Sequence, residues 1–505
     1  MRSVKVLPSL RCRHRGATAS LAAALLVSGL LVFATAGALA GLAPAARSSA
    51  PPRGHALVVS FASGPGGPVV PSRFLGLSFE AESIPQLARY ASEGDLPLLL
   101  RSLGPGVLRL GGVTADSRVA FVQPPATPPS WADVVISPAD LTALAALTRS
   151  ANDQALLTVG LLHDDPAAAA QEAAAAAGAF GDSLLGLEIG NEPDAYGTHG
   201  VRPAPWTFAQ YAPEVDAYRA AISAAAPGVA IAGPDTTGAA FATWGRAEAS
   251  VEHPALLTAH RYPLVCSARP APSIAGLLSA TTRARDITQL SSDAAIAAAA
   301  GIPLRIDETN SVSCGGRAGV SNTFAAALWA VQLMTEAMQL GISGVNFHDL
   351  PASCAGYSPL CAQRPQDLAD GHLTAAPEWY ALLFVRSLIG DRPLTTTATG
   401  SSPSVVASAF RDGGRIRILL TDTDPSGPAR TVRIAVGPAP TTATVLALTA
   451  PSLAASTGVR IGGRGVNARG ELLGPLQRTR LRSAHGAITV ALPPASAALV
   501  TVGGA

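Results

Sequence analysis

Charged residues are scarce in this sequence: they make up 14 % of its 505 residues, whereas 48 % are hydrophobic. A chain with so little charge and so many apolar side chains packs into a globular protein, which excludes an intrinsically disordered one. Lysine occurs once, as Lys5, and we attach no function to that scarcity. The length exceeds one ordinary domain and fits a large domain joined to a smaller one.

Long hydrophobic runs are confined to the N-terminus. Basic residues precede an apolar stretch at residues 17–36, and the small residues Ala38 and Ala40 follow it. This pattern predicts a signal peptide over residues 1–40 and a secreted protein. Because the stretch is nearly long enough to span a bilayer, retention at the cell surface by an uncleaved segment is the alternative. After cleavage no membrane contact is expected, since the later apolar runs are short.

A surplus of basic residues is also missing once this segment is removed. The whole chain carries a net charge of +2, and the segment holds five basic and no acidic residues, which leaves about −3 for the remainder. Proteins that bind long polyanions usually carry a basic surplus. We therefore expect neither nucleic acid nor a long sulfated glycan as a partner.

Cysteine is scarce as well. The cysteines that follow the predicted signal peptide are Cys266, Cys314, Cys354 and Cys361. An even number in an exported protein predicts two disulfides, for which three pairings exist. Cys266 and Cys314 follow neighbouring strand candidates, and a bond between them would leave Cys354 and Cys361 to close a small loop. Free thiols are the alternative. No metal site is expected, because no histidine or cysteine pair beside them has the spacing of zinc ligands.

Short apolar runs that end in polar or glycine-rich residues occur eight times, and helical patterns follow most of them. Such alternation predicts an α/β fold, a (β/α)8 TIM barrel, over residues 71–390. The strand candidates are residues 74–80, 107–112, 156–162, 184–192, 229–235, 256–263, 304–311 and 345–350.

Beyond residue 390 the pattern changes to short strands separated by turns, which predicts an all-β sandwich over residues 391–505. Residues 41–54 are interpreted as a linker. Residues 55–70 are interpreted as a hairpin around the turn Gly64-Pro-Gly-Gly67. This N-terminal hairpin has no partner in the barrel, so we expect it to complete the sandwich.

Two of the barrel strands end in acidic residues of similar surroundings. The run Leu185-Gly-Leu-Glu-Ile-Gly-Asn-Glu-Pro-Asp194 ends the fourth strand with Glu192, and Pro303-Leu-Arg-Ile-Asp-Glu-Thr-Asn-Ser311 ends the seventh with Glu308. Their separation of 116 residues equals three strand–helix units of roughly 35–40 residues, so the two glutamates should face each other across the barrel mouth. Paired carboxylates there are typical of glycoside hydrolysis. A strand-end salt bridge is the alternative for either glutamate alone.

Glu192 is the candidate general acid/base, which must be protonated when it meets the glycosidic oxygen. Glu308 is the candidate nucleophile, which must stay ionised. A gap of roughly 5–5.5 Å between the carboxyl groups favours retention of configuration, and a wider gap favours inversion. Two carboxylates and water suffice for this chemistry, so no cofactor is expected.

Further polar residues at strand ends are candidates for supporting this pair. Asn191 can donate to a sugar 2-hydroxyl. Arg109 in Leu108-Arg-Leu-Gly-Gly112 is expected to keep Glu308 ionised, and Tyr262 in Ala259-His-Arg-Tyr-Pro263 to orient it. Three further strand-end residues are candidates for contact with the substrate, with a purely scaffold role as the alternative: Glu80, His260 and His348. Residues interpreted as purely structural are Asp194, Asp235 and Asp307.

These motifs resemble glycoside hydrolase family 79, which contains β-glucuronidases and heparanases. Two later segments extend the resemblance, Ser321-Asn-Thr-Phe-Ala-Ala-Ala-Leu-Trp329 and Pro377-Glu-Trp-Tyr-Ala-Leu-Leu383. It covers the barrel and, less specifically, the sandwich, and it implies Glu192 as acid/base and Glu308 as nucleophile. It also implies that tyrosine hydroxyls and a backbone amide hold the substrate carboxylate. Tyr357 in Ala355-Gly-Tyr-Ser-Pro-Leu360 matches one tyrosine and Gly315 the amide, whereas a second tyrosine has no match.

The leading hypothesis is a secreted retaining exo-β-glucuronidase that acts on a glucuronide or a glucuronate-bearing glycan. The second hypothesis is a retaining barrel glycosidase acting on a neutral sugar. The third is a non-catalytic glycan-binding surface protein. The presence of both glutamates argues against the third, since a binding protein needs neither. The oligomeric state stays open.

Overall fold

The computed structural model describes residues 57–400 and 402–503. The predicted signal peptide and linker, residues 1–40 and 41–54, lie outside the described residues. Within the described ranges no helix combines the length and the apolar character needed to cross a membrane.

The strands up to the end of the barrel region are β1 Leu57–Pro65, β2 Leu75–Glu80, β3 Val107–Gly111, β4 Val119–Phe121, β5 Val134–Ile136, β6 Gln154–Val159, β7 Leu184–Ile189, β8 Ile231–Thr236, β9 Leu256–Arg261, β10 Leu304–Thr309, β11 Gly344–Asp349, β12 Leu360–Cys361 and β13 Thr374–Ala375. The later strands are β14 Arg392–Thr399, β15 Val405–Asp412, β16 Arg415–Asp422, β17 Arg430–Ala435, β18 Thr442–Thr449, β19 Arg460–Ile461, β20 Thr479–Arg482, β21 Ala487–Leu492 and β22 Ser496–Val502.

The α-helices are α1 Ile84–Tyr90, α2 Leu96–Leu103, α3 Val113–Ser117, α4 Pro138–Ala151, α5 Pro166–Phe180, α6 Phe208–Ala225, α7 Phe241–Val251, α8 Ile274–Leu277, α9 Ala280–Ala300, α10 Phe324–Gln339, α11 Pro365–Ala369 and α12 Pro377–Val385. Short 3-10 helices lie at Ala81–Ser83, Gly181–Ser183, Pro193–Ala195 and Arg386–Leu388.

Eight of the described strands close into a parallel barrel in the order β2, β3, β6, β7, β8, β9, β10 and β11. Their residues are buried almost throughout, because the barrel interior covers one face and the surrounding helices cover the other. These strands follow the eight predicted strands in order. The predicted fold class, a barrel followed by an all-β domain, is therefore confirmed.

The all-β region forms one continuous sheet instead of two separate layers. Its main path runs β19, β18, β22, β16, β15, β14, β1, β17 and β21, and β20 pairs with β18 off that path. Strands from opposite parts of the order share a core, since Ile488 of β21 and Val500 of β22 belong to one apolar cluster. The sheet therefore folds over on itself, and this curvature produces the sandwich-like packing that the strand pattern predicts.

The N-terminal prediction needs a correction. Residues 55–70 were expected to form a hairpin, but the described part is the single strand β1, and residues 68–70 are irregular. As expected, β1 joins the all-β domain, where it pairs antiparallel with β14 and parallel with β17. The proline-bearing turn at residues 65–68 thus leads directly towards the first barrel strand. It does not return a second strand but runs beside the start of β14, where the Gly66 N–H donates to the Pro393 carbonyl at 2.7 Å.

The helix α10 joins the barrel to the all-β sheet. Every residue from Phe324 to Met338 is buried, because one side of the helix packs on the barrel and the other on the sheet. Gln332 Nε2 donates to Thr421 Oγ1 of β16 at 2.8 Å. On β16, Leu419 packs into the barrel-side core while its neighbour Ile418 packs into the core of the folded sheet. The alternation of a strand therefore places apolar residues on both faces.

Candidate active site at the barrel mouth

The strand register brings polar residues from different strands to one level of the barrel. Glu308 on β10 lies beside His260 on β9. His348 on β11 lies beside Ser78 on β2, which in turn lies beside Arg109 on β3. Because all the strands are parallel, their carboxyl ends share one rim, and residues far apart in sequence meet there.

Arg109 is fully buried at the centre of this level. Its Nη1 donates to Glu308 Oε2 at 2.7 Å, its Nε to Glu188 Oε2 at 2.9 Å, and its Nη2 to Asp235 Oδ2 at 2.8 Å. Nε also lies 2.9 Å from Asp307 Oδ2. A buried guanidinium requires such partners, since an unpaired buried charge is strongly destabilising. The predicted contact between Arg109 and Glu308 is thus one of a set.

The protonation states of these carboxyl groups diverge. Burial raises the pKa of Glu188 to about 7, although Arg109 opposes that shift. Burial alone would also raise the pKa of Glu308, but the positive charges of His348, His260 and Arg109 outweigh it and lower that pKa to about 2. Glu308 is therefore ionised at neutral pH, as a nucleophile must be.

His260 lies between Glu192 and Glu308. Its Nδ1 is 2.9 Å from Glu192 Oε1 and 3.8 Å from Glu308 Oε1, and its Nε2 is 2.7 Å from Asp235 Oδ1. Burial alone would lower the pKa of His260. The carboxylates of Glu308 and Asp235 outweigh burial and raise that pKa well above its usual range. The resulting imidazolium donates through both nitrogens, one to Glu192 and one to Asp235.

The positions of Glu192 and Glu308 around this ring limit their separation. Their Oε1 atoms lie 2.9 Å and 3.8 Å from the same nitrogen, so the two oxygens are at most the sum of these distances apart, about 6.7 Å. The Glu192 side chain is 29 % exposed and the Glu308 side chain 10 % exposed. Glu192 therefore faces the open mouth, and Glu308 lies deeper in the barrel.

The backbone that carries Glu192 adopts an uncommon conformation. Glu192 has a φ of +46°, in the left-handed region that few residues other than glycine adopt. Its N–H donates to the Asp235 carbonyl at 2.9 Å, and the N–H of Asn191 donates to Asp116 Oδ2 at 3.0 Å. The Asn191 side-chain oxygen accepts from Arg109 Nη2 at 3.1 Å, which leaves its amide group to donate elsewhere.

Two tyrosines cover the other side of Glu308. The Tyr262 hydroxyl donates to Glu308 Oε1 at 2.7 Å, and it lies 3.4 Å from the Tyr357 hydroxyl. The ring of Tyr357 packs edge-on against His348, with the ring centres 5.6 Å apart. His348 Nδ1 is 3.6 Å from Glu308 Oε2. The structure thus brings both predicted tyrosines and His348 to the nucleophile candidate.

Glu80 and the Gly-Gly pair close the side of the first two strands. Glu80 Oε1 lies 3.4 Å from His348 Nε2, and Oε2 accepts from the Thr114 hydroxyl at 2.6 Å. A side chain at Gly112 would meet Glu80 Oε2 at 2.5 Å, and Gly112 has a φ of +73°. Glycine is therefore required there for both space and conformation. Burial raises the pKa of Glu80, but the hydrogen bond and charge of His348 reverse the shift and lower it.

Tyr357 and Gly315 belong to neighbouring loops that touch through their backbones. The Tyr357 N–H donates to the Gly315 carbonyl at 3.3 Å, and a side chain at Gly316 would meet the Tyr357 nitrogen at 2.5 Å. Both expected disulfides are present in these loops, one between Cys266 and Cys314 and one between Cys354 and Cys361. Together they hold the loops after β9, β10 and β11 in place around Tyr357.

Several residues of the site were interpreted as purely structural or were not singled out. Asp235 and Asp307 contact Arg109 directly, and so does Glu188. Each is a fully buried acid within a barrel strand, which is a usable signal because a buried acid requires a partner. By contrast, Asp194 accepts hydrogen bonds from Thr237 and lies outside the group around Arg109.

The ligand atoms of Asp235, His260 and Asp307 lie within 4.8 Å of one another, a spacing that can suit a metal ion. Arg109 already contacts the carboxylates of Asp235 and Asp307. Burial opposes a charge on His260, but the neighbouring carboxylates outweigh burial and raise the pKa of His260. A second cation would face the charge of Arg109 at close range. We therefore assign these side chains to an ion-pair network.

No protein-family model matches the chain. A β-glucuronidase from Neurospora crassa is 27 % identical over 48 % of this chain and 48 % of its own length. The chain thus spans about half the length of this curated relative.

Two solved structures share the fold. The first is a 4-O-α-L-rhamnosyl-β-D-glucuronidase from Fusarium oxysporum 12S in a Rha-GlcA complex, with a TM-score of 0.68 and 20 % identity over 88 % of this chain and 100 % of that one. The second is a GH51 arabinofuranosidase from Xanthomonas axonopodis pv. citri, with a TM-score of 0.64 and 15 % identity over 89 % and 100 % of the two chains. These likenesses support the barrel with its all-β domain.

Proposed function

We propose that this chain is an exported glycoside hydrolase that cleaves terminal β-glucuronides with retention of configuration. Glu192 acts as acid/base and Glu308 as nucleophile. The observation that carries the proposal is the position of both carboxylates on one imidazole, with Oε1 atoms at most about 6.7 Å apart. That limit applies to one pair of carboxylate oxygens and is compatible with the roughly 5–5.5 Å separation of the carboxyl groups in retaining enzymes.

The reaction proceeds in two displacements. Glu308 attacks the anomeric carbon as the bond to the leaving oxygen breaks, and Glu192 delivers its proton to that oxygen. Water then attacks the glycosyl ester, Glu192 takes a proton from the water, and Glu308 leaves as a carboxylate. Because His260 donates to Glu192 Oε1, the other oxygen of Glu192 is the one that carries the proton.

The surrounding residues supply charge and orientation. Arg109 and Tyr262 donate to different oxygens of Glu308, which fixes the plane of the carboxylate. Arg109 holds the Asn191 side-chain oxygen, so the Asn191 amide nitrogen is the atom that donates to a sugar 2-hydroxyl. These contacts cost no reorganisation during the reaction, since the network exists before substrate binds.

The choice of glucuronate rests on the similarities and on the tyrosine pair. The fungal relative is named as a β-glucuronidase, and the structure from Fusarium as a glucuronidase with Rha-GlcA. In this chain Tyr357 reaches the nucleophile region, and the neighbouring Gly315 offers a backbone amide. A hydroxyl and an amide can hold a sugar carboxylate by hydrogen bonds alone.

A neutral sugar is the second candidate. The loop that follows Glu308 reads Ser311-Val-Ser-Cys-Gly-Gly316 and provides no tyrosine. The similarity to a GH51 arabinofuranosidase also favours a sugar without a carboxylate. Export is supported by the two disulfides, which persist in oxidising compartments.

The deciding experiment is hydrolysis of a panel of chromogenic β-glycosides by the purified protein and by a Glu308→Ala variant. Turnover of the glucuronide alone, lost in the variant, supports the leading proposal. Turnover of an arabinoside, xyloside or glucoside instead keeps the mechanism and replaces the substrate. No turnover of any member contradicts the proposed function.

A further inference from the structure

The loop after the second barrel strand is long and builds a chamber of its own. Between β3 and α4 the chain forms the short parallel strands β4 and β5. This excursion and the first turns of α5 enclose a cavity of about 360 Å³. That volume lies within the roughly 300–1,000 Å³ typical of small-molecule sites.

The lining of this cavity combines an aromatic surface with polar edges. Trp131 stacks on His163 with ring centres 3.7 Å apart and planes inclined by 15°. The amide side chains of Gln123 and Gln171 lie on the same lining. A sugar ring has an apolar C–H face and hydroxyls at its rim, so an aromatic plane with amides beside it suits a sugar better than an aryl group.

A second, smaller cavity adjoins this chamber and reaches the acid/base candidate. It has a volume of about 90 Å³, and its lining includes Glu192, Val113 and His199. Both cavities share Asp116, whose carboxylate accepts from the Asn191 N–H at 3.0 Å. Asp116 therefore lies between the two cavities and also fixes the turn that carries Glu192.

The side of the site on which these cavities lie identifies the part of the substrate they face. A general acid protonates the leaving oxygen, so the leaving group extends past Glu192, whereas the sugar that forms the ester sits on Glu308. Neither Glu308 nor Tyr262 lines the smaller cavity. The smaller cavity thus lies on the leaving-group side of the reaction, and the chamber lies next to it across Asp116.

We propose that the chamber at Trp131 and His163 is a binding site for the leaving group and accepts a neutral sugar unit of a glycan. The inference rests on the proposed function, since it assigns the part of the substrate that leaves. Among the described residues that line the chamber, none is a lysine or arginine, whereas Asp116, Asp165 and Glu172 are acidic. A sulfated or carboxylated unit would lose its hydration there without gaining a cationic partner.

The test compares leaving groups on the sugar that the chromogenic panel identifies. The substrates are its methyl glycoside, its β-linked disaccharide with glucose, and the same disaccharide sulfated at the glucose 6-hydroxyl. In a Trp131→Ala variant, kcat/KM for the disaccharide relative to the methyl glycoside should fall roughly tenfold. This ratio cancels general effects of the substitution on the reaction. Val251→Ala, an exposed site at the end of α7, serves as the control and should leave the ratio unchanged.

Calorimetric titration with cellobiose gives a readout that needs no turnover. Binding to the wild type that is lost in Trp131→Ala supports the sugar site even if the panel shows no hydrolysis, which separates this inference from the proposed function. Gln171→Ala, an exposed change, should lower the same ratio and tests the site if Trp131→Ala does not fold. An unchanged ratio together with unchanged cellobiose binding overturns the site. A sulfated disaccharide that is cleaved as fast as the neutral one overturns its assignment to a neutral sugar.

Discussion

His260 Nδ1 lies 2.9 Å from Glu192 Oε1, and the same nitrogen lies 3.8 Å from Glu308 Oε1. One ring therefore orients the acid/base candidate and adds positive charge beside the nucleophile candidate. This arrangement ties the two carboxylates together electrostatically, so a change in the charge of either alters the field at the other. Their roles can still be separated by chemistry, because they act in different steps.

Azide should separate the roles of Glu192 and Glu308. With a 2,4-dinitrophenyl β-glycoside, Glu192→Ala should form the glycosyl ester readily, since this leaving group needs little protonation. Hydrolysis of the ester should slow by roughly 10²–10⁴-fold without the general base. Added azide should restore turnover and give the β-glycosyl azide, identified by NMR.

Glu308→Ala provides the matched comparison under the same conditions. Without the nucleophile, azide enters directly from the opposite face and should give the α-glycosyl azide. If the two variants give the same anomer, or if the products are exchanged, the assignment of acid/base and nucleophile is wrong.

Tyr262→Phe should weaken the reaction and shift its pH dependence. The Tyr262 hydroxyl donates to Glu308 Oε1 at 2.7 Å, and a hydrogen bond to a charged group contributes about 1.5–3 kcal/mol. We expect kcat/KM to fall roughly 10- to 100-fold. The pKa of Glu308 is about 2, because positive neighbours and this hydroxyl outweigh burial, so loss of the donor raises it. The acidic limb of the kcat/KM profile should therefore move to higher pH.

The control for Tyr262→Phe is Tyr380→Phe. The Tyr380 hydroxyl accepts from the Val466 N–H at 3.2 Å, away from the barrel mouth. Its removal deletes a hydroxyl hydrogen bond without touching Glu308, so the pH profile should stay in place. A Tyr262→Phe profile that coincides with that of wild type contradicts the role of this hydroxyl.

The barrel and the central pair could be predicted from the sequence because both depend on local patterns. Strand-like runs alternate with helices, and Glu192 and Glu308 each end such a run. Arg109 was predicted to reach Glu308 because parallel strands end at one rim, and the structure places them 2.7 Å apart. These inferences need only the order of the strands along the barrel.

Asp235 and Asp307 were missed as members of the network because the strands that carry them are irregular. The register shifts between Pro234 and Thr236 on β8 and again near Glu308 on β10. At a bulge the alternation of side chains breaks, so two successive residues can face inward. A period of two places only one of Asp307 and Glu308 inside. The sequence did predict that residues 55–70 join the all-β domain, but not that a single strand, β1, would do so between β14 and β17.

Arg109→Met should lower stability far more than the same change at a surface arginine. Arg109 is fully buried and pairs with Glu308 and Asp235, so its loss leaves buried carboxylates without their cation. Removing one partner of a buried pair costs about 3–5 kcal/mol. Arg118 makes comparable ion pairs at the surface, where its side chain is 46 % exposed, and Arg118→Met should cost about 0–1 kcal/mol.

Urea unfolding followed by far-UV circular dichroism measures this difference. Arg109→Lys is a second variant that keeps the charge but loses the forked geometry, and it should fall between wild type and Arg109→Met. Equal midpoints for Arg109→Met and Arg118→Met would show that the buried network contributes nothing to folding.

Glu378→Gln should reduce the loss of stability at alkaline pH. Glu378 is buried at the start of α12, where Oε2 accepts from Asn310 Nδ2 at 3.0 Å, and burial raises its pKa from the usual 4.5 to about 8. The folded state therefore holds this proton more tightly than the unfolded state does. Its contribution to stability is full below pH 4.5 and is lost as the pH rises through about 8.

Glutamine cannot ionise, so the variant lacks this contribution to the pH dependence. The difference in free energy of unfolding between pH 5 and pH 9 should be smaller in Glu378→Gln than in wild type, as measured by urea titration at both pH values. The exposed Glu93→Gln is the control and should keep the wild-type difference. A full alkaline loss in Glu378→Gln would mean that other groups carry it, such as Glu248, whose pKa burial also raises to about 8.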